Sequence, residues 1–257
     1  MASATDGCMA SRPPRGLRAA ARLVGAFMLM AALQDAAAAQ GAPVSGADPA
    51  ADKATATPSP LADFGEESPS PEARRVADWA VHSGDNAGMP YLIVDKVQAR
   101  VFVFDRLGRL QGAGPALLGM ERGDGTVSGI GARRLAAIAP GERTTPAGRY
   151  VASLALDLHG RQILWIDYDS ALALHRIAKG TPSERRAERL QSATPADNRI
   201  SYGCINVAAA FYERVIGPAF AHSSGVVYIL PEMRSADEVF GSYGVGATAT
   251  ATGGAPR

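Results

Sequence analysis

Cys204 stands in a setting suited to reactivity. The segment Ile200-Ser-Tyr-Gly-Cys-Ile-Asn-Val207 puts it directly after a glycine and ahead of Ala208 to Ile216, which reads as a helix. Gly203 permits close backbone approach, and a helix start favours negative charge. Both features suit a thiolate. Attack on an acyl carbon needs that thiolate as nucleophile and backbone N–H groups to receive the tetrahedral oxyanion. A cysteine serves equally well as a small buried hydrophobe, so the residue type alone leaves both roles open. The chain holds 2 Cys and 4 His, too few for a multi-cysteine zinc framework or a disulfide-stapled scaffold. His82 beside Ser83-Gly84, His159 at a hairpin tip and His222 before a Ser-Ser-Gly turn read as surface or capping residues. No His-x-x-x-His or Cys-x-x-Cys spacing supports a metal site, and neither metal nor organic cofactor is expected.

The elements that must position this cysteine occupy the middle of the chain. Lys and Arg total 26 against 25 Asp and Glu, a net charge of +1 with the basic residues scattered. That distribution gives no footprint for a nucleic-acid partner. Arg12, Arg15, Arg18 and Arg22 precede the apolar run Leu23 to Leu33, and Ala36-Ala-Ala-Ala39 follows. This is the pattern of a secretory signal peptide over 1–39, cleaved near Ala39. The run is about half of the roughly twenty residues a membrane span requires, so no stable span is expected after cleavage. Cys8 would leave with the signal, and Cys204 would be a lone thiol in a compartment that oxidises thiols. Residues 40–71, rich in Ala, Pro, Ser and Thr, read as a disordered tether. Residues 236–257 read as a disordered tail, which leaves 72–235 as the folded unit. Within it Pro71 to His82 has helical spacing. Tyr91 to Asp95, Ala99 to Asp105, Tyr150 to Leu156, Gln162 to Tyr168 and Val226 to Leu230 have the β-branched and aromatic content of strands. Pro182 to Arg199 is polar and charged, with a helical turn expected around Glu184 to Leu190, and reads as an exposed flap or lid. The fold class expected is mostly β, with a few short helices.

Ser201-Tyr-Gly-Cys-Ile-Asn206 resembles the Ser/Thr-His-Gly-Cys-hydrophobic-Asn/Arg motif of the YkuD-type L,D-transpeptidases, whose catalytic domain is a β-sandwich or barrel-like unit. Thr145-Pro-Ala-Gly-Arg-Tyr150 looks like that family's Thr-Pro-x-Gly-x-aromatic strand start, and His175 in Leu172-Ala-Leu-His-Arg176 stands where its upstream histidine does. The first hairpin, Tyr91 to Phe104, is also similar, so the likeness runs in order from about residue 90 to 232. Three departures are visible. Tyr202 replaces the usual His before Gly-Cys, Arg176 follows His175 where Gly is common in the family, and the interval from His175 to Cys204 is lengthened by the charged 182–199 stretch.

The resemblance implies roles. Cys204 would be the nucleophile and His175 its base, returning the proton to the leaving amine. The Arg176 carbonyl would orient the histidine, while the Arg176 side chain could meet a substrate carboxylate. Backbone N–H groups of Tyr202, Gly203 and Cys204 would form the oxyanion hole. Ser201 and Asn206 would hold the loop rigid, and Thr145, Pro146 and Gly148 would be architecture. The implied function is an exported, periplasmic cysteine acyltransferase with peptidoglycan stem peptides as partner, forming 3→3 cross-links through a Cys thioester. Two rivals remain at this level: an L,D-carboxypeptidase or hydrolase at the same site, and a catalytically silent wall-binding module.

Overall fold

The computed structural model of the chain describes residues 60–245. The signal-peptide segment lies outside those residues, as do most of the tether and the end of the tail. Nine strands form the body: β1 Tyr91–Asp95, β2 Arg100–Phe104, β3 Leu110–Gly119, β4 Gly148–Leu156, β5 Gln162–Asp167, β6 Leu172–Arg176, β7 Arg199–Ser201, β8 Ile205–Val207 and β9 Gly225–Ile229. They pair in the order β2-β1-β9-β4-β5-β6-β8-β3, and β2 pairs again with β3, which closes eight strands into a barrel. β7 adds to the end of β3. Most pairs are antiparallel, but β1 with β9, β6 with β8 and β3 with β7 run parallel. The mostly β class read from the sequence is therefore the observed one.

Strand alternation builds two cores from one wall. Leu92 and Val94, Val101 and Val103, and Val227 and Ile229 point into the barrel with Leu164, Leu174, Ile205 and Val207. Tyr91, Ile93, Phe102, Phe104, Val226 and Tyr228 point outward. That outer face is covered by α1 Pro71–Ser83 and by α5 Ala236–Phe240, so both faces of β1 and β9 are buried. Helix α1 starts on Ser70, whose side chain accepts from Ala73 N–H, with Pro at its first position, and stops at Gly84 in the left-handed region. After β8 come α3 Ala209–Phe211, a π-helical turn Tyr212–Ile216 and α4 Gly217–Ala219. Tyr212, Ile216 and Phe220 from this stretch belong to the barrel core.

The domain limits read from composition are too narrow. Ala62 and Phe64, within the segment expected to be a tether, are buried in the outer core, and Phe64 packs edge-on against Phe102 and Phe104. At the other end Ala236 is buried and Phe240 packs against Tyr228. Phe64, with backbone hydrogen bonds between Asp63 and both Gly108 and Leu110, docks this polar stretch, which a composition window averages away. The 182–199 stretch is largely exposed, and the helical turn expected around Glu184 to Leu190 forms as α2 Arg186–Leu190, between 3-10 turns at Pro182–Glu184 and Pro195–Asn198. It is no loose flap, however, because Arg186, Leu190 and Asn198 are buried.

Candidate active site

Cys204 lies between β7 and β8 and is 6% exposed. Its loop is tied at every turn. Ser201 Oγ donates to Cys204 O at 2.6 Å and accepts from Gly203 N–H at 3.1 Å. Asn206 Nδ2 donates to the same Cys204 carbonyl at 3.1 Å. From the β3–β4 side, buried Thr145 donates its hydroxyl to Gly203 O at 2.8 Å and accepts from Gly119 N–H at 2.8 Å. Gly203 has φ +130°, and a Cβ there would stand 2.7 Å from Thr144 O, so only glycine allows the two loops to touch. Ser201, Asn206 and Thr145 thus hold the loop by hydrogen bonds to its backbone.

One expectation needs correction here. Gly203 N–H is engaged by Ser201 Oγ, which removes it from the three expected oxyanion donors. The helix expected over Ala208 to Ile216 forms from Ala209, with Ala208 as its N-cap. Between it and Cys204, Ile205–Val207 extends as a strand flanked by β6 and β3, so the helix start is not adjacent to the cysteine. The thiol donates to Ala171 O at 3.5 Å, a contact that only the protonated form makes.

His175 reaches the same place from β6. In the parallel β6–β8 pairing it stands opposite Asn206, two residues from Cys204. Strand alternation puts it on the side of Ala173, which packs with Cys204, Ile163 and Trp165. Its Nδ1 lies 2.8 Å from Arg176 O. A carbonyl only accepts, so Nδ1 carries a proton, and the tautomer this selects for the neutral ring is the one with its lone pair on Nε2. The Arg176 side chain is held elsewhere: Nε donates to Glu213 at 3.0 Å, Nη1 to Gln162 O at 3.0 Å, and the guanidinium lies over Tyr212. The expected carboxylate contact of that side chain is not prepared here, whereas the carbonyl stands where the orienting role requires it.

Cys204 opens on a hollow of about 40 Å³. Its walls include Ile130, Leu135, Ile138, Ala171, Tyr202 and Gly203. The roof is the β3–β4 connection, with 3-10 turns at Ile130–Ala132, Leu135–Ala137 and Pro140–Glu142. A Cβ on Gly131 would stand 2.5 Å from Asp169 O in the β5–β6 turn, so roof and turn are in direct contact beside the cysteine. Tyr202 lies flat under Arg143, whose guanidinium carbon is 4.0 Å from the ring centre. Sequence reasoning did not find this roof, since it has neither strand nor helix periodicity; its cluster of Gly123, Gly125, Gly129 and Gly131 was the available signal.

A buried ionic cluster anchors the roof. Lys96, 1% exposed, donates to Gly123 O at 2.6 Å, Asp124 Oδ1 at 2.9 Å and Thr145 O at 3.0 Å. Asp124 also accepts from the N–H groups of Glu232, Met233 and Arg234. Glu232 pairs with Arg199 at 2.6 Å. Burial opposes the charge on Asp124, but its hydrogen bonds from Lys96 and from the backbone outweigh that and hold its carboxyl below the usual range. Among the described residues no group of three or more His, Cys, Asp or Glu could hold a metal ion, and no helix is long and apolar enough to cross a membrane.

The molecule is thus a closed β-barrel that presents a cysteine and an oriented histidine on one face of neighbouring strands. No family model matches the chain, and no curated protein does. Among solved structures it is similar to a cysteine-to-serine mutant of the Enterococcus faecium L,D-transpeptidase, at 12% identity and a TM-score of 0.30, over 55% of this chain and 50% of that one. It is also similar to the catalytic domain of the E. faecium L,D-transpeptidase solved by NMR, at 14% identity and a TM-score of 0.27, over 55% of this chain and 96% of that one. The chain spans half the length of the first of these.

Proposed function

We propose that this chain is an exported cysteine acyltransferase acting on peptidoglycan stem peptides, an L,D-transpeptidase of the YkuD type. The ordered motifs around Thr145, His175 and Cys204 support that reading. The observation that carries it is the 2.8 Å contact from His175 Nδ1 to Arg176 O, because it fixes the tautomer a general base needs, on the strand next to the cysteine. His175 Nε2 takes the Cys204 proton, and the thiolate adds to the carbonyl of the L-centre residue before a terminal D-Ala. The Tyr202 and Cys204 N–H groups receive the oxyanion. Collapse breaks the amide bond, His175 returns the proton to the departing D-Ala amine, and a thioester on Cys204 remains. An amine from a second stem then displaces the thiolate and leaves a 3→3 cross-link. Water in place of that amine gives a carboxypeptidase.

The test is mass spectrometry of the chain incubated with disaccharide-tetrapeptide, with Cys204→Ala as control. A cysteine-bound acyl adduct, loss of D-Ala and a cysteine-dependent dimer are expected. Loss of D-Ala without dimer would assign the hydrolase. A folded protein with neither adduct nor turnover would overturn the enzyme reading in favour of a binding module.

A further inference from the structure

The segment 182–198 reaches the nucleophile through one buried side chain. Arg186, 4% exposed, donates from Nη1 to Asn206 Oδ1 at 3.2 Å and from Nε to Glu184 Oε2 at 2.7 Å. Asn206 in turn donates from Nδ2 to Cys204 O. An amide side chain can sit in two orientations that differ by exchange of its oxygen and nitrogen. A guanidinium only donates, so it forces the amide oxygen toward itself and the amide nitrogen toward the Cys204 carbonyl. Hydrogen bonding to a cation also polarises the amide and strengthens its own donation.

Neighbouring contacts hold Arg186 in place. Glu184 Oε2 also accepts from Thr181 N–H, Arg189 donates to Glu184 O, and Asn198 Nδ2 donates to Ala116 O on β3. The whole segment is therefore fastened at both ends to the strands that carry the site.

We propose that Arg186 is a positioning residue for Cys204: it sets the orientation of the Asn206 amide and, through it, the backbone of the nucleophile. This rests on Cys204 being the nucleophile. The 182–198 stretch is then part of the scaffold of the site and not a lid over it.

The experiment follows Cys204 alkylation by iodoacetamide across pH in the full chain, with thermal melting alongside. Arg186→Gln and Asn206→Ala are each expected to slow alkylation about tenfold, the scale of one hydrogen bond to a charged group. The double variant is expected to be no slower than either single one, and Arg186→Lys to recover part of the rate. Because Arg186→Gln leaves Glu184 without its partner, Glu184→Gln/Arg186→Met keeps the volume without the charges; it is expected to melt near wild type and still react slowly. Unchanged alkylation in a folded Arg186 variant, or effects of Arg186→Gln and Asn206→Ala that multiply fully, would overturn the proposal. A wild-type Cys204 that reacts no faster than a free cysteine would instead overturn the nucleophile reading on which it rests.

Discussion

At the scale of single residues, Gly203 can least be changed without moving the cysteine. Alanine there would have to adopt φ +130° with its Cβ 2.7 Å from Thr144 O. The expected outcome for Gly203→Ala is a loss of about 1–3 kcal/mol in stability and near-complete loss of Cys204 alkylation, read by thermal melting and by the rate of thiol labelling. Thr145→Val tests the same contact from the other loop. It removes the donor to Gly203 O and the acceptor for Gly119 N–H, and an unsatisfied buried group costs about 1–3 kcal/mol. A denaturant midpoint unchanged by Thr145→Val would show that this bridge does not hold the loop. The need for glycine at 203 could be read from its place before the cysteine, the loop-fixing roles of Ser201 and Asn206 came with the motif's resemblance, and the residue type alone left the role of Cys204 open. Arg186 could not be read, because a charged residue in a charged stretch gives no sign that it is buried.

At the scale of elements, a buried ionic cluster ties down the roof over Cys204. Lys96 ties the β1–β2 turn to Gly123, Asp124 and Thr145, so it joins the roof to the strand start that braces Gly203. Lys96→Met leaves Asp124 and Glu232 with charge in a buried place, and a loss of about 3–5 kcal/mol is expected from denaturant unfolding. Asp124 makes this element sensitive to acid. Its carboxyl is held below the usual range by its donors, so the folded state binds a proton less readily than the unfolded chain. The stability it contributes is full above the unfolded carboxyl value, about 4, and is lost as pH falls through the lower folded value. Asp124→Asn should therefore flatten the acid limb of melting temperature against pH, and an unchanged limb would mean that other carboxyls set it.

Elements differ in how far the sequence reveals them. Tyr91–Asp95, Arg100–Phe104, Gln162–Asp167 and Gly225–Ile229 carry enough β-branched and aromatic residues to be legible. Arg199–Ser201 and Ile205–Val207 are three residues each, and only their partners on β3 and β6 make them strands. That is why the helix from Ala209 onward was legible while the short strands on either side of Cys204 were not.

At the scale of the whole molecule, the segment before α1 is part of the fold. Phe64 is 2% exposed and packs on Phe102 and Phe104, while Ala62 N–H donates to Asp78 on α1. Phe64→Ala is expected to cost about 3–5 kcal/mol, and a chain begun at residue 72 should melt below one begun at residue 60. Equal melting of the two would show that the segment adds nothing. The barrel's seam has a consequence in time. Tyr91 to Val94 find their parallel partners at Val226 to Ile229, almost the full length of the domain later. Contacts so far apart in the chain make folding slow, and β1 has no mate on that side until the last strand has been synthesised. Until then β1 and β4 both expose raw edges, the kind that recruit a neighbouring chain. The finished barrel joins those edges to β9, so the hazard belongs to the nascent chain and ends when the last strand arrives.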